Sequence, residues 1–324
     1  MTLNRTYNLV QGHECLSASI GNYLNYFCRD ITGNELLIAG NGFNVTYDRK
    51  RKVIGAPIYE ANFCFMKKYG ISYVCKKCSE EAEEFLYNCI KQKKKIILRV
   101  DARQLTYNRV FQQAVDSPHY VNLLGENDRQ FYLCDGYVPT RETSVYEGWI
   151  NGDCLIRAWK SMQYEYLILD YDKSLDTSRI LQDVGETLCG DLTKYITGGN
   201  EGQIFYGQDA ILQMIADLQK EYGGDHTKEQ ILQFNYQLRI YGFLSLKETL
   251  KEIFSKRIVF EEILEEYNDV IAQWNRICML LVKVAYARDA TKWEKLNKRV
   301  SDCVVKEKNI LIQVINKINF RDSE

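Results

Sequence analysis

Proline and histidine are both scarce in this chain, at three residues each among 324. With 46% hydrophobic and 26% charged residues beside so little proline, the composition excludes a disordered or low-complexity chain and implies order nearly throughout. An excess of one charge is missing as well. Lysine plus arginine number 42 against 43 for aspartate plus glutamate, a formal charge of −1, so no overall field favours nucleic acid or an anionic membrane. Long apolar runs are also lacking. The opening MTLNRTYNLVQGHECLS holds no stretch of signal-peptide length, and IILRV at 96–100 is far too short to cross a bilayer. No nucleic-acid partner and no membrane partner are expected, and the protein is expected in the cytoplasm.

Complete metal and phosphate motifs are absent too. Cys75 and Cys78 form one CxxC, but no second pair and no HxxxH accompanies it, so a structural zinc is not read here. GNGF at 40–43 lacks the rest of a phosphate loop and reads as a tight turn. KQKKK at 91–95 reads as a solvated helix end. The eleven cysteines are odd in number and scattered through a long chain, which suits reduced thiols that mostly fill core positions.

What is there divides in two. The length fits two domains, and the pattern changes near residue 175. Before it, Leu16, Ile20, Tyr23, Leu24 and Phe27 recur at helical spacing from Cys15 onwards. EANFCFMKKYG and EEAEEFLYNCIKQ supply two more helical stretches. The strand-like IILRV, HYVNLLG, QFYLCDGY and QYEYLILDY follow. Helices first and antiparallel strands after predict an α+β domain over 1–172. Over 173–324, long amphipathic segments such as FEEILEEYNDVIAQWNRICMLLVKVAYAR predict a helical domain, placed to wall off a substrate or acceptor site or to form a homodimer.

One constellation carries chemistry. Cys15 stands where a helix begins, and a helix N-terminus favours a thiolate and offers amides to an oxyanion. His119 opens a strand directly after Pro118, and Asp135 ends the next strand. A hairpin brings such side chains together, giving a nucleophile, a base and a carboxylate that orients the base. Gln11, four residues before the cysteine, is a candidate oxyanion donor, against a plain reading as a loop residue. His13 is read as supporting the loop or touching substrate, since HEC lacks the second histidine of a zinc-protease motif.

The stretch QGHECLSASIGNYLNYF, with NELLIAGNGFNVTY after it, resembles the N-terminal domain of the butirosin biosynthesis protein H family. HYVNLLGENDRQFYLCDGY resembles that family's histidine strand, hairpin and aspartate strand, and FYGQDAILQMIADLQ the opening of its helical partner domain. The resemblance implies a papain-like cysteine protease fold, with Cys15 as nucleophile, His119 as general acid and base, and Asp135 as orienting carboxylate. Glu14 departs from the pattern, because the family often has its histidine directly before the cysteine.

By that resemblance the chain is expected to be an acyltransferase that forms amides in antibiotic-type or nonribosomal-peptide biosynthesis. The donor would be the phosphopantetheine arm of an acyl or peptidyl carrier protein, the acceptor a small amine, with no bound cofactor and no metal. A cysteine peptidase or amidase on the same three residues is the alternative enzyme. A catalytically idle binding or self-resistance protein is the alternative outside catalysis.

Overall fold

The computed structural model describes residues 2–3, 7–26, 30–78, 81–108, 117–138, 145–171, 175–222, 224, 227–240, 242–256, 260–287 and 290–321. Phe27 and His226 lie outside them. In chain order the elements are β1 (Thr2–Leu3), α1 (Cys15–Asn25), α2 (Gly33–Ala39), β2 (Thr46–Asp48), β3 (Val53–Gly55), α3 (Ile58–Lys68), β4 (Ser72–Lys77), α4 (Ala82–Lys91), β5 (Lys95–Asp101), β6 (Pro118–Asn127), β7 (Gln130–Asp135) and β8 (Tyr146–Asn151). They continue with α5 (Gly152–Ser161), β9 (Glu165–Asp170), α6 (Thr177–Thr197), β10 (Asn200–Glu201), β11 (Ile204–Tyr206), α7 (Gly207–Glu221), α8 (Thr227–Ile240), α9 (Phe243–Ser255), α10 (Glu261–Ala287) and α11 (Ala290–Arg321). The class is mixed α+β. Among the described residues no helix is long and apolar enough to cross a membrane.

The chain forms two compact units, 1–40 with 62–181, and 41–61 with 182–324. This division falls inside α6, past the 172/173 boundary expected from the sequence, and assigns 41–61 to the second unit. Residues 172–174, where the periodicity changes, lie outside the described residues.

In the first unit a single antiparallel sheet runs β4-β9-β5-β6-β7-β8, with β1 added beside β6. Side chains alternate across a strand, and β6 uses both faces. Val121 and Leu123 enter a core with Leu86 and Ile90 of α4, Leu155 and Trp159 of α5, and Phe131 and Leu133 of β7. Between them, Asn122 donates 2.9 Å to the carbonyl of Ser19 in α1. The Tyr23 hydroxyl, from the same helix, donates 3.2 Å to the Ile96 carbonyl and 3.3 Å to that of Leu123. These bonds fasten α1 to the middle of the sheet. Gly21 lets α2 approach α1, because a Cβ there would lie 2.3 Å from the Gly33 nitrogen.

A two-residue turn joins β6 to β7, with Asp128 and Arg129 at φ 46° and 62°. Two left-handed residues match the twist of a tight hairpin. A bulge between Leu123 and Gly125 shifts the register on the β6 side. Of the CxxC, Cys75 lies on β4 at the sheet edge, a strand exposed along its whole length, and half-buried Cys78 follows its end.

The second unit is mainly helical, from most of α6 through α11, and it also holds an antiparallel sheet, β10-β11-β2-β3. Its strands are two or three residues long, too short for periodicity to reveal, so a wholly helical region is what the sequence led us to expect. Asn41, in the GNGF segment, takes φ 61° and makes the turn. Buried in this unit, Lys247 Nζ lies 2.7 Å from Glu307 Oε1 and donates 2.8 Å to the Tyr195 hydroxyl. Trp274 and Tyr195 each donate 3.1 Å to the other oxygen of Glu307.

Candidate active site

The β6–β7 hairpin places His119 and Asp135 at its open end. His119 Nε2 lies 2.7 Å from Asp135 Oδ2, and the two side chains are 3% and 0% exposed. A carboxylate partner fixes the tautomer, with Nε2–H donating to Asp135, so Nδ1 becomes the nitrogen through which His119 takes up a proton.

Asp135 is held on both oxygens. Oδ1 accepts from the Tyr137 amide at 2.9 Å. Oδ2 accepts from the Tyr107 hydroxyl at 3.1 Å as well as from His119. Tyr107 is itself set in place by a face-to-face stack on Tyr146, 3.7 Å between centroids. The segment that carries it is anchored by buried Asp101, which caps the turn at 102–104 and accepts 2.6 Å from the Arg103 guanidinium. That charged partner holds the Asp101 carboxyl below its ordinary range.

Cys15 is the first residue of α1, as the sequence predicts, and the residue as a whole is partly exposed. Its surroundings differ from expectation. Glu14 caps the helix. Its Oε1 accepts from the Leu16 amide at 2.9 Å, and its Oε2 accepts from the Ser17 amide and hydroxyl, each at 2.7 Å. The two helix amides expected to favour a thiolate or hold an oxyanion are therefore bonded to a carboxylate. The Cys15 thiol donates to the same carboxylate, with Sγ 3.3 Å from Oε1. Burial, and then the charge of Glu14, push the thiol well above its ordinary range; a hydrogen bond from the Tyr120 main chain works in the opposite direction.

The loop before the cysteine is tied at two points. Asn22 Oδ1 accepts 2.6 Å from the Val10 amide, and the Gly12 amide donates 2.8 Å to the carbonyl of Gly136, next to Asp135. A Cβ on Gly136 would lie 2.6 Å from Asn22 Nδ2, so the loop, α1 and the end of β7 meet where only glycine fits. Gln11 is exposed in this loop and His13 is partly buried. Glu14, between His13 and the cysteine, touches the thiol.

The structure thus joins His119 to Asp135 and stands Cys15 at the head of the helix that packs on the same sheet. It adds Tyr107 and Glu14, which the sequence reading did not use. The usual cap residues are Ser, Thr, Asp and Asn, so a glutamate before the helix gives no cap signal, and nothing in the spacing links Tyr107 to Asp135.

No protein-family model and no curated protein matches the chain. Among solved structures it is similar to a Bacillus anthracis protein described as a C39-like peptidase, with 14% identity and a TM-score of 0.38, over 53% of this chain and 98% of that one. A likeness that slight carries no argument, and the site is read from its own geometry.

Proposed function

We propose that the chain is a papain-like cysteine acyltransferase, with Cys15 as nucleophile and the His119–Asp135 pair as its acid and base. The observation that carries this reading is the buried 2.7 Å contact between His119 Nε2 and Asp135 Oδ2, because it prepares an imidazole for proton transfer beside a helix-borne thiol.

The donor is an acyl thioester on the phosphopantetheine arm of a carrier protein, and the acceptor is a small amine. Cys15 Sγ attacks the thioester carbonyl as its proton passes to His119 Nδ1. Collapse expels the carrier thiolate, which takes that proton, and leaves an acyl group on Cys15. The amine then attacks, its proton passes to His119, and amide formation returns the Cys15 thiol. The thiol is pushed up in the resting site, so its proton leaves during attack and no standing thiolate–imidazolium pair is required. Amide wins over hydrolysis when the amine is held near the acyl carbon, an advantage of roughly 7 to 11 kcal/mol for well-oriented reactants.

Intact-mass analysis after incubation with acyl thioesters of N-acetylcysteamine tests the proposal. The expected result is a single acyl adduct, lost in Cys15→Ala, strongly slowed in His119→Ala, and converted to an amide by added amine. An adduct that yields only the free acid supports the peptidase or amidase alternative. No adduct with any thioester, together with a Cys15 that no alkylating agent reaches, rejects the acyltransferase reading and moves the weight to a binding role.

A further inference from the structure

Glu14 occupies a position no helix cap needs to occupy: its carboxylate serves the helix end and the thiol at once. Three bonds from Leu16 and Ser17 fix the carboxylate in place, and Oε1 lies 3.3 Å from Cys15 Sγ. A cap alone could be built from serine, threonine or aspartate. The longer glutamate sets a formal negative charge against the reacting sulfur. Buried Asp135 adds a second negative charge nearby, one that also acts on the thiol.

An acyl carbon bonded to Cys15 Sγ brings its α-substituent within a few ångströms of Glu14 Oε1. An ammonium at that place gains an ion pair, an alkyl group gains nothing, and a carboxylate is repelled. Resting on the acyltransferase reading above, we propose that Glu14 is a specificity-determining residue that selects aminoacyl donors with a free, protonated amine next to the acyl carbon. The same pairing couples selection to activation. A cation beside Glu14 offsets the negative charge that opposes ionisation of Cys15, so the thiol gives up its proton more easily once the matching donor is bound. Donors without that charge meet a thiol still held back by its carboxylate neighbour.

Three thioesters of N-acetylcysteamine separate the cases, glycyl and propionyl of matched size and the larger, anionic malonyl, compared on the full-length chain as native protein, Glu14→Gln and Glu14→Asp. The readout is the rate of Cys15 acylation by intact mass, taken as the glycyl-to-propionyl and propionyl-to-malonyl ratios. Ratios between variants cancel the intrinsic reactivity of each thioester. The expectation is that both ratios fall by about tenfold or more in Glu14→Gln and are only partly kept in Glu14→Asp, whose charge is retained but set one methylene farther from the sulfur. Cationic and anionic methanethiosulfonates, read at the Cys15 peptide, give the same comparison without catalysis and cover a Glu14→Gln protein with weakened acylation. Acylation of Cys15 with ratios unchanged in Glu14→Gln overturns this inference and leaves the acyltransferase reading standing. Failure of every thioester and both methanethiosulfonates to reach Cys15 overturns both.

Discussion

The Tyr107 hydroxyl donates to the same oxygen of Asp135 that His119 contacts, at 3.1 Å beside 2.7 Å. The carboxylate is therefore aimed by a residue outside the cysteine–histidine–aspartate set. Tyr107→Phe keeps the stack on Tyr146 and removes this one bond. We expect acylation of Cys15 to slow by about tenfold, with a stability loss of about 1 kcal/mol. Asp135→Asn, which changes the histidine's tautomer partner, is expected to cost about 10²- to 10⁴-fold. Acylation kinetics and denaturant titration of the two variants check this, and equal rates in Tyr107→Phe and native protein refute it.

Cys15 is expected to be a slow nucleophile towards simple alkylating agents. Its thiol lies above the ordinary range because of burial and Glu14, so little thiolate exists near neutral pH. The rate of iodoacetamide capture at Cys15 should therefore keep rising between about pH 7 and 10, with no plateau near neutrality. Removing the charge in Glu14→Gln moves that rise to lower pH. A plateau already reached at neutral pH in the native protein would contradict the assignment.

Stability carries a separate pH signature. Asp191 is 4% exposed and has one carboxylate oxygen without a hydrogen-bond partner. Burial, opposed by the charge of Lys194, raises its carboxyl from 3.8 to about 6. The unfolded chain releases this proton more readily, so folding weakens as pH climbs from about 4 to about 6 and stays weaker above. The loss is on the order of 3 kcal/mol. Urea titrations at several pH values should show this slope in the native protein and lose it in Asp191→Asn.

The buried Lys247–Glu307 pair makes a prediction about the second unit. Burial alone drives the lysine below its ordinary range and Glu307 pulls it back. Lys247→Met leaves the Glu307 carboxylate, which is 0% exposed, without its cation and should cost about 3 to 5 kcal/mol. Adding Glu307→Leu should recover much of that loss. Thermal unfolding of the single and double variants measures the difference, and a double variant no more stable than Lys247→Met refutes it.

The sequence was most legible where a signal repeats. Helical spacing located α1 and the long helices, and β-rich runs bounded by turn residues located β5, β6, β7 and β9. It was least legible where structure is made by pairing across distance. Nothing local marks Thr46–Asp48 as a partner of Ile204–Tyr206, and β4 reads as a lysine-rich cysteine motif until its pairing with β9 is known. The site divides in the same way. Cys15, His119 and Asp135 stand at element ends that pattern can find. The effect of Glu14 on the thiol depends on side-chain geometry, and Tyr107 reaches Asp135 from 28 positions away.

The hairpin that carries His119 and Asp135 places them at the opposite end from its tip. Lengthening at Asp128–Arg129 therefore leaves the pair undisturbed, and this turn is a natural point for inserting a reporter or for drift in loop length among descendants. The stretch between the bulge at Leu123–Gly125 and His119 has no such freedom. Since side chains alternate from face to face, gaining or losing one residue there turns the histidine to the other side of the sheet and away from Asp135. The hairpin thus tolerates change of length at one end and forbids it at the other.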